Sequence, residues 1–216
     1  MFEYIAELLP VLMKGTWLTL QLFFIVFILS LPLGWLLSLL RVSRNKIVSK
    51  LVELYCWVFR GTPLLLQLLF IYYALPFIGK GITFTGFQCA VIAFVLNYAA
   101  YFAEIFRGGI QSIDVGQYEA ADVLGMSRTN VMMRIVLPQA FKCVLPSLGN
   151  EMITLVKDTA LVYGIALHDL LRQAQIAVVR DFRSDAFIAA AIIYLVLTYG
   201  ATKLLSGVER KFNYYR

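Results

Sequence analysis

The sequence predicts an all-α membrane protein with five transmembrane helices, and three observations carry that reading. Of 216 residues, 61% are hydrophobic and only 15% are charged; mean hydropathy is +0.78. That leaves too few charges to cover a water-facing surface. Residues 17–40 run for 24 positions without a charge, enough at ~1.5 Å per residue to cross a hydrocarbon core about 30 Å thick. Four further stretches, 51–79, 84–106, 138–167 and 186–204, have the length and composition of spans. No internal repeat, low-complexity tract or long linker divides them, so residues 1–216 read as a single transmembrane domain.

In order along the chain, residues 1–14 place Glu3 and Glu7 four apart and read as a short amphipathic segment in the membrane interface. Two acids against the single Lys14, followed by a very long apolar run, argue against a secretory signal peptide. The loop RVSRNKIVSK after the first span holds Arg41, Arg44, Lys46 and Lys50 and no acid. The second span has Glu53 and Arg60 near its start, then Gly61, Thr62 and Pro63, which should loosen the helix because proline donates no N–H. Backbone groups freed this way are tolerable in a membrane only where they line a cavity or meet protein. The alternative is a plain helix start with Arg60 reaching the headgroups. The turn PFIGKGITFT carries only Lys80, and Asn97 stands alone in the apolar third span, where it must find a partner.

The stretch 107–134 carries Arg107, Arg128 and Arg134. Residues 168–185 balance Arg172, Arg180 and Arg183 against Asp169, Asp181 and Asp185, and the tail holds Lys203, Arg210, Lys211 and Arg216. The positive-inside rule then puts the basic loop and tail in the cytoplasm, with the N-terminus outside and the C-terminus inside, in the cytoplasmic membrane.

Other classes fit poorly. The net charge of +6 is scattered beside apolar spans instead of clustered on one face, so no nucleic-acid partner is expected. Cys56, Cys89 and Cys143 are far apart with no CxxC spacing and read as packing residues. His168 is the single histidine, so no metal site is expected. No nucleophile–base constellation appears, and no catalytic residue is assigned.

The most informative stretch is GQYEAADVLGMSRTNVMMRIVLPQA, residues 116–140. Glu119 and Asp122 are expected in the first turns of a short helix, where carboxylates complement its positive end. Ala120 and Ala121 give that helix a small, smooth surface, Gly125 suits a left-handed stop, and Ser127 suits the N-cap of the next helix. The stretch resembles the EAA loop of the membrane-spanning permease subunits of ATP-driven binding-cassette importers. The pattern is E-A-A, three residues, G, nine residues, I, one residue, L-P, and Glu119, Ala120, Ala121, Gly125, Ile135, Leu137 and Pro138 fit every position. KGTWLTLQLFF, FRGTPLLLQLLFIYY, YFAEIFRGGIQSI, LPQAFKCVLPSLGNE and LVKDTAL resemble, in order, segments of the polar amino acid permeases.

The resemblance implies the five-helix type I ABC importer permease fold, with a coupling EAA loop over 114–138 and an amino acid as substrate. It implies two ATPase subunits, a second permease subunit (identical or a sister chain) and an extracytoplasmic substrate-binding protein as partners. No GxxxxGK[ST] sequence occurs, so this chain is expected to be a transport subunit and not an enzyme, with no cofactor of its own and ATP and Mg bound by the partners. Glu119, Ala120, Ala121 and Gly125 would couple it to the ATPase.

Ionisable groups at membrane depth mark substrate paths or buried pairs. At about 100° per residue Glu151, Thr154 and Asp158 share one helix face, with Asn150 and Lys157 in the adjacent row. A zwitterionic amino acid needs an acceptor for its ammonium. Glu151 is expected to supply it, with Asn150, Asn97, Tyr98, Tyr101, Thr62, Thr154 and Asp158 completing a substrate site. Lys157 and Asp158 are expected to pair and shape a gate. An Asn-Glu pair at 150–151 is similar to that of permeases for basic amino acids, so arginine, lysine or histidine is the expected substrate, with glutamine, glutamate or cystine as alternatives. An ion-coupled transporter or channel using the same carboxylates is the rival class.

Overall fold

The computed structural model describes residues 2–79, 81 and 83–212, so Lys80 and Arg216, used above in the charge reading, lie outside the described residues. Every regular element among the described residues is helical. Four helical stretches among them are long and apolar enough to cross a membrane: Glu3–Arg41, Gly86–Gln111, Arg128–Ile165 and Asp185–Lys211. Lys46–Gly61 and Leu64–Ile78 pass together as one pair bent by 102°.

The first helix, α1 (Phe2–Arg41), runs for 40 residues, roughly 60 Å or twice the hydrocarbon thickness. From Phe2 onward, the segment expected as a separate interfacial piece is thus the first turns of this helix. Neither Pro10 nor Gly15 ends it, because Leu8 and Leu12 are buried in a cluster with Leu170, Ala174 and Ala186 from further along the chain. Hydroxyls inside the apolar body close on their own helix: Thr16 donates to the Leu12 carbonyl at 2.9 Å and Ser30 to that of Val26 at 2.6 Å.

Helix α2 (Lys46–Gly61) is capped by Asn45 and is followed across the bend by α3 (Leu64–Leu69), a π-turn and α4 (Leu75–Ile78). Helix α5 (Gly86–Gln111), opened by a Thr85–Gln88 capping box, is the hub. Its buried Ala90, Ala93, Ala99, Ala100 and Ala103 let neighbours approach closely, the usual basis of helix association in a membrane. Gly34 of α1 does the same from its side, since a Cβ there would lie 2.5 Å from the Cβ of Phe102.

After α5 come the short helices α6 (Val115–Val123) and α7 (Arg128–Val131), a π-turn, and the long α8 (Leu137–Asp158), prolonged by a 3₁₀ segment, Thr159–Ile165. Helix α9 (Leu170–Asp181) and α10 (Asp185–Phe212) complete the chain. Ile188, Ile192, Leu195, Val196 and Tyr199 of α10 are exposed, as suits a helix facing lipid. Cys56 and Cys89 are buried packing residues as expected; Cys143 is exposed.

The α1–α9 junction is held by Asp169, fully buried at 0% exposure. Its carboxylate accepts from the backbone N–H of Leu171 (3.0 Å) and Arg172 (3.1 Å), capping α9, while the Leu170 N–H donates to Thr19 of α1 at 3.4 Å. Burial pushes the Asp169 carboxyl up to about 6 in spite of these bonds. A carboxyl with a higher value folded than unfolded binds more protons when folded, so its contribution to stability is fully present below about 4 and is lost as pH rises through about 6. The apparent melting temperature of the purified protein, relative to that of Asp169→Asn, should therefore fall between about pH 4 and pH 6 and stay level above. A flat difference across that range would show that Asp169 titrates normally.

Candidate substrate cavity and coupling hairpin

The site begins with a missing donor. In an unbroken helix the Phe59 carbonyl would accept from the N–H of residue 63, but Pro63 has none. Residue 62 precedes a proline and is pushed into extended geometry, with φ −118° and ψ 145°, so α2 stops and α3 restarts at a steep angle. Gly61 meets no other atom within 4 Å of where its Cβ would lie, so the corner is open on that side.

Side chains meet three carbonyls around the break. Thr62 Oγ1 donates back to Val58 O at 2.8 Å. Phe59 O accepts from Asn97 Nδ2 and from Gln67 Nε2, both at 2.9 Å, and Thr62 O accepts from Gln67 Nε2 at 3.1 Å. Asn97 Nδ2 also donates to Gln67 Oε1 at 3.0 Å. Carbonyl oxygens can only accept, so this pattern fixes which way the Gln67 amide points.

The bend opens toward α5 and α8 around a cavity of about 500 Å³. It is lined by Arg60, Gly61, Thr62, Pro63 and Leu64 at the break, Asn97, Tyr98 and Tyr101 from α5, and Glu151, Thr154, Asp158 and Leu161 from α8 and its extension. The sequence-predicted Glu151, Asn97, Tyr101, Thr62, Thr154 and Asp158 are thus brought together. Asn150 is not: it lies on the exposed side of α8, where its carbonyl accepts from Thr154 Oγ1 at 3.0 Å.

Lys157 and Asp158 form no ion pair, contrary to expectation. Successive helix residues point about 100° apart. Asp158 faces the cavity and accepts a 2.8 Å hydrogen bond from Tyr98, while Lys157 is exposed beside a different pocket lined by Ala160, Ala191, Tyr194, Leu195 and Thr198. Of the two polar rows read from the sequence, only the Glu151, Thr154 and Asp158 row enters the cavity.

Arg60 is the basic side chain lining this cavity, instead of extending to headgroups. Its guanidinium lies 5.2 Å from the Tyr101 ring centre and 3.8 Å from Glu104 Oε2. Glu104 also binds Arg107 at 2.6 Å and lies 4.0 Å from Arg41, which reaches Glu53 at 3.2 Å. Sequence reasoning missed Gln67 and Glu104. Their signal was present: Gln67 is a polar residue isolated in an apolar run, as Asn97 is, and Glu104 is a carboxylate with Arg107 three residues on in an otherwise apolar stretch.

The second candidate site is the helical hairpin of α6 and α7. Asp114 caps α6, Ser127 caps α7 as expected, and Gly125 has φ +67°. Gly125 N–H donates to Asp122 O and Met126 N–H to Ala121 O, each at 3.0 Å, the paired bonds of a Schellman stop. Asp122 accordingly lies in the last turn of α6, not the first, and Asp114 is the carboxylate at its positive end. The two alanines also part company: Ala121 is 1% exposed and packs on Ile110, Ile113, Val131 and Val136, whereas Glu119 and Ala120 face outward. Beside them Val115, Val123 and Leu124 are exposed at 67%, 87% and 77%, an apolar rim around Glu119.

A bent helix pair enclosing a charged cavity, and an exposed hairpin at one end of the bundle, define a membrane transport subunit. Residues 9–214 match the family of binding-protein-dependent transport system inner membrane components, and the chain belongs to that family. It is 38% identical over 215 residues to a putative glutamine transport system permease protein, GlnP, of Rickettsia bellii, covering 98% of both chains. It is 41% identical over 206 residues to the arginine transport system permease protein ArtQ of Bacillus subtilis, covering 95% of this chain and 94% of that one. The L-cystine permease protein TcyB of the same organism is 36% identical over 208 residues, covering 95% and 88%.

Among solved structures, one of an amino acid ABC transporter with histidines aligns at a TM-score of 0.90 and 39% identity over 98% of each chain. A methionine ABC transporter, MetNI, at 20% identity and a TM-score of 0.77 over 96% of this chain and 98% of that one, shares the fold. The protein is therefore the permease subunit of an amino acid ABC importer, with the type I importer permease fold; ATP is hydrolysed by separate subunits. That membership leaves no place for the ion-coupled transporter or channel.

Removing the Tyr98 hydroxyl deprives a half-buried carboxylate of a hydrogen-bond donor. Tyr98→Phe should destabilise the purified complex by about 1–3 kcal/mol, read as a lower thermal midpoint. An unchanged midpoint would mean that Asp158 has an equivalent second partner.

Proposed function

We propose that this permease carries basic amino acids, and the observation that carries the reading is the charge balance of the cavity. Two carboxylates, Glu151 and Asp158, face one guanidinium, Arg60, across a space of about 500 Å³. A cationic amino acid offers two positive groups and one carboxylate, the complement of that lining. In this reading Glu151 takes the side-chain cation and Asp158, steadied by Tyr98, takes the α-ammonium. Arg60 takes the carboxylate, near Leu64 at the start of a helix that no side chain caps. Thr62, Thr154 and Tyr101 supply hydroxyls to the wall. Relatives named for glutamine, arginine and cystine do not choose among substrates; the excess of acid in the cavity favours the basic ones.

The complete transporter in this proposal has two permease subunits, identical or sister chains, two ATPase subunits that bind ATP and Mg, and an extracytoplasmic binding protein that delivers the amino acid. It lies in the cytoplasmic membrane with the N-terminus outside and the C-terminus inside. Glu119, Ala120 and the turn at Gly125 meet the ATPase, and the apolar rim of Val115, Val123 and Leu124 is covered there. Ala121 serves the joint from within by fixing the hairpin to α5 and α8.

Two experiments on the complex reconstituted in lipid nanodiscs test this. Arginine, lysine or histidine with the cognate binding protein should stimulate ATP hydrolysis, and Glu151→Gln should abolish that stimulation without loss of assembly. Equal stimulation by glutamine, with no effect of Glu151→Gln, would overturn the basic-substrate reading. At Gly125, with open space around the Cβ position, the cost of a side chain is purely that of a left-handed backbone. Gly125→Val should let hydrolysis proceed while uptake into vesicles drops at least about tenfold; undiminished uptake would tell against hairpin docking.

A further inference from the structure

We infer that Gln67, acting with Asn97, is the positioning residue of the substrate cavity: it fixes the angle of the α2–α3 break and so sets where Arg60 and Thr62 stand opposite Glu151. This rests on the reading of the cavity as the basic amino acid site. Gln67 is absent from the cavity lining, so it acts through other residues.

The geometry is specific. Gln67 sits one turn into the second limb of the bend and Phe59 in the last turn of the first, so the Gln67 Nε2 to Phe59 O bond of 2.9 Å crosses the corner. The same nitrogen meets Thr62 O at 3.1 Å and Thr62 Oγ1 at 2.7 Å, holding the extended residue between the limbs. Its oxygen accepts from Asn97 at 3.0 Å, which ties the corner to α5. Asn97 is 4% exposed, and both N–H groups of its amide are engaged, on Phe59 O and on Gln67 Oε1. Asn97 therefore lines the cavity but donates no hydrogen bond into it. A second anchor lies one turn before Phe59, where Tyr55 OH donates to Leu96 O at 2.5 Å. Between these anchors the last turns of α2 have no freedom to rotate, and Arg60 emerges from that segment.

Phe59 O is part-buried, so a lost donor there is not readily replaced. A side chain of similar length without N–H groups would leave Phe59 O with one partner and Thr62 O with none from Gln67, and the corner would relax. The distance from Arg60 to Glu151 would then vary, and a ligand held at both ends would lose affinity.

The test is arginine binding to the purified permease–ATPase complex in nanodiscs, measured directly with radiolabelled arginine in the absence of binding protein. Gln67→Met preserves length and is expected to weaken arginine binding about tenfold or more while basal ATP hydrolysis persists. Undiminished arginine affinity in an assembled Gln67→Met complex would overturn the inference, whatever its thermal midpoint. Gln67→Glu keeps the acceptor for Asn97 but presents a carboxylate to two carbonyls; once protonated, it regains an O–H donor. Its affinity relative to wild type should rise as pH is lowered from about 7 toward about 4, through the ordinary glutamate range, a profile that a general loss of packing would not give. A pH-independent ratio would count against the inference, and this variant decides if Gln67→Met fails to assemble. Glu151→Gln run alongside separates the two readings: if it too leaves arginine binding intact, the cavity assignment fails; if it alone weakens binding, only the role of Gln67 does.

Discussion

Everything in this site depends on how a helix can be broken inside a membrane. Hydrocarbon offers no hydrogen-bond partner, so carbonyls released at the break have to meet protein or line a cavity. Phe59 O is met by Asn97 and Gln67, Val58 O by Thr62 and Thr62 O by Gln67. The concave face of the resulting bend becomes the cavity. Without the amide pair the break at Pro63 would remain but its angle would not be fixed, and Arg60 would have no set place opposite Glu151.

The hub helix α5 makes this possible. Its alanine-rich faces bring α1, α2 and α8 close enough for short polar side chains to bridge between helices, and its successive turns carry Asn97, Tyr101 and Glu104 toward the bend. One turn stabilises the broken backbone, the next places an aromatic ring beside Arg60, and the third gives Arg60 a carboxylate on the side away from the cavity. Arg60 thus stands between Glu104 and the cavity that it lines with Glu151 and Asp158. The 3.8 Å contact with Glu104 is not an ideal two-pronged pair, which suits the carboxylate-binding role proposed for Arg60.

Much of this was legible in the sequence, and the reasons differ from residue to residue. The spans, the break at Pro63 and the caps at Ser127 and Gly125 follow from local chemistry that tertiary structure did not override. The row of Glu151, Thr154 and Asp158 followed from helical period alone. What periodicity could not supply was rotation: two polar rows existed on α8, and only packing against α5 decides which one faces inward. The expected Lys157–Asp158 pair failed for the same reason, as did the place of Asn150. The division between Ala120 and Ala121 was hidden because a short helix against a folded body has an inner and an outer side that composition does not mark. The continuous α1 was missed because the spacing of Glu3 and Glu7 marks only a local amphipathic turn, while the burial of Leu8 and Leu12 against α9 and α10 is a long-range effect.

Helix α8 joins the two sites in one rigid element. It leaves the α6–α7 hairpin at Leu137 and reaches Glu151 after 14 residues, roughly 21 Å along its axis. Near its middle, Gly149 is packed directly against Leu205 of α10, so the two helices have no room to slide at that level. The hairpin is seated through Ala121, Val131 and Val136 on Ile110 and Ile113 at the end of α5. A push on the hairpin therefore reaches both walls of the cavity, one through the root of α8 and the other through the end of α5. The two walls meet again at the Tyr98–Asp158 hydrogen bond, beyond Glu151 from the hairpin. With that bond as the far tie and the hairpin as the near one, relative motion of α5 and α8 is confined to the stretch between them, where Glu151 and Arg60 line the cavity proposed for the substrate.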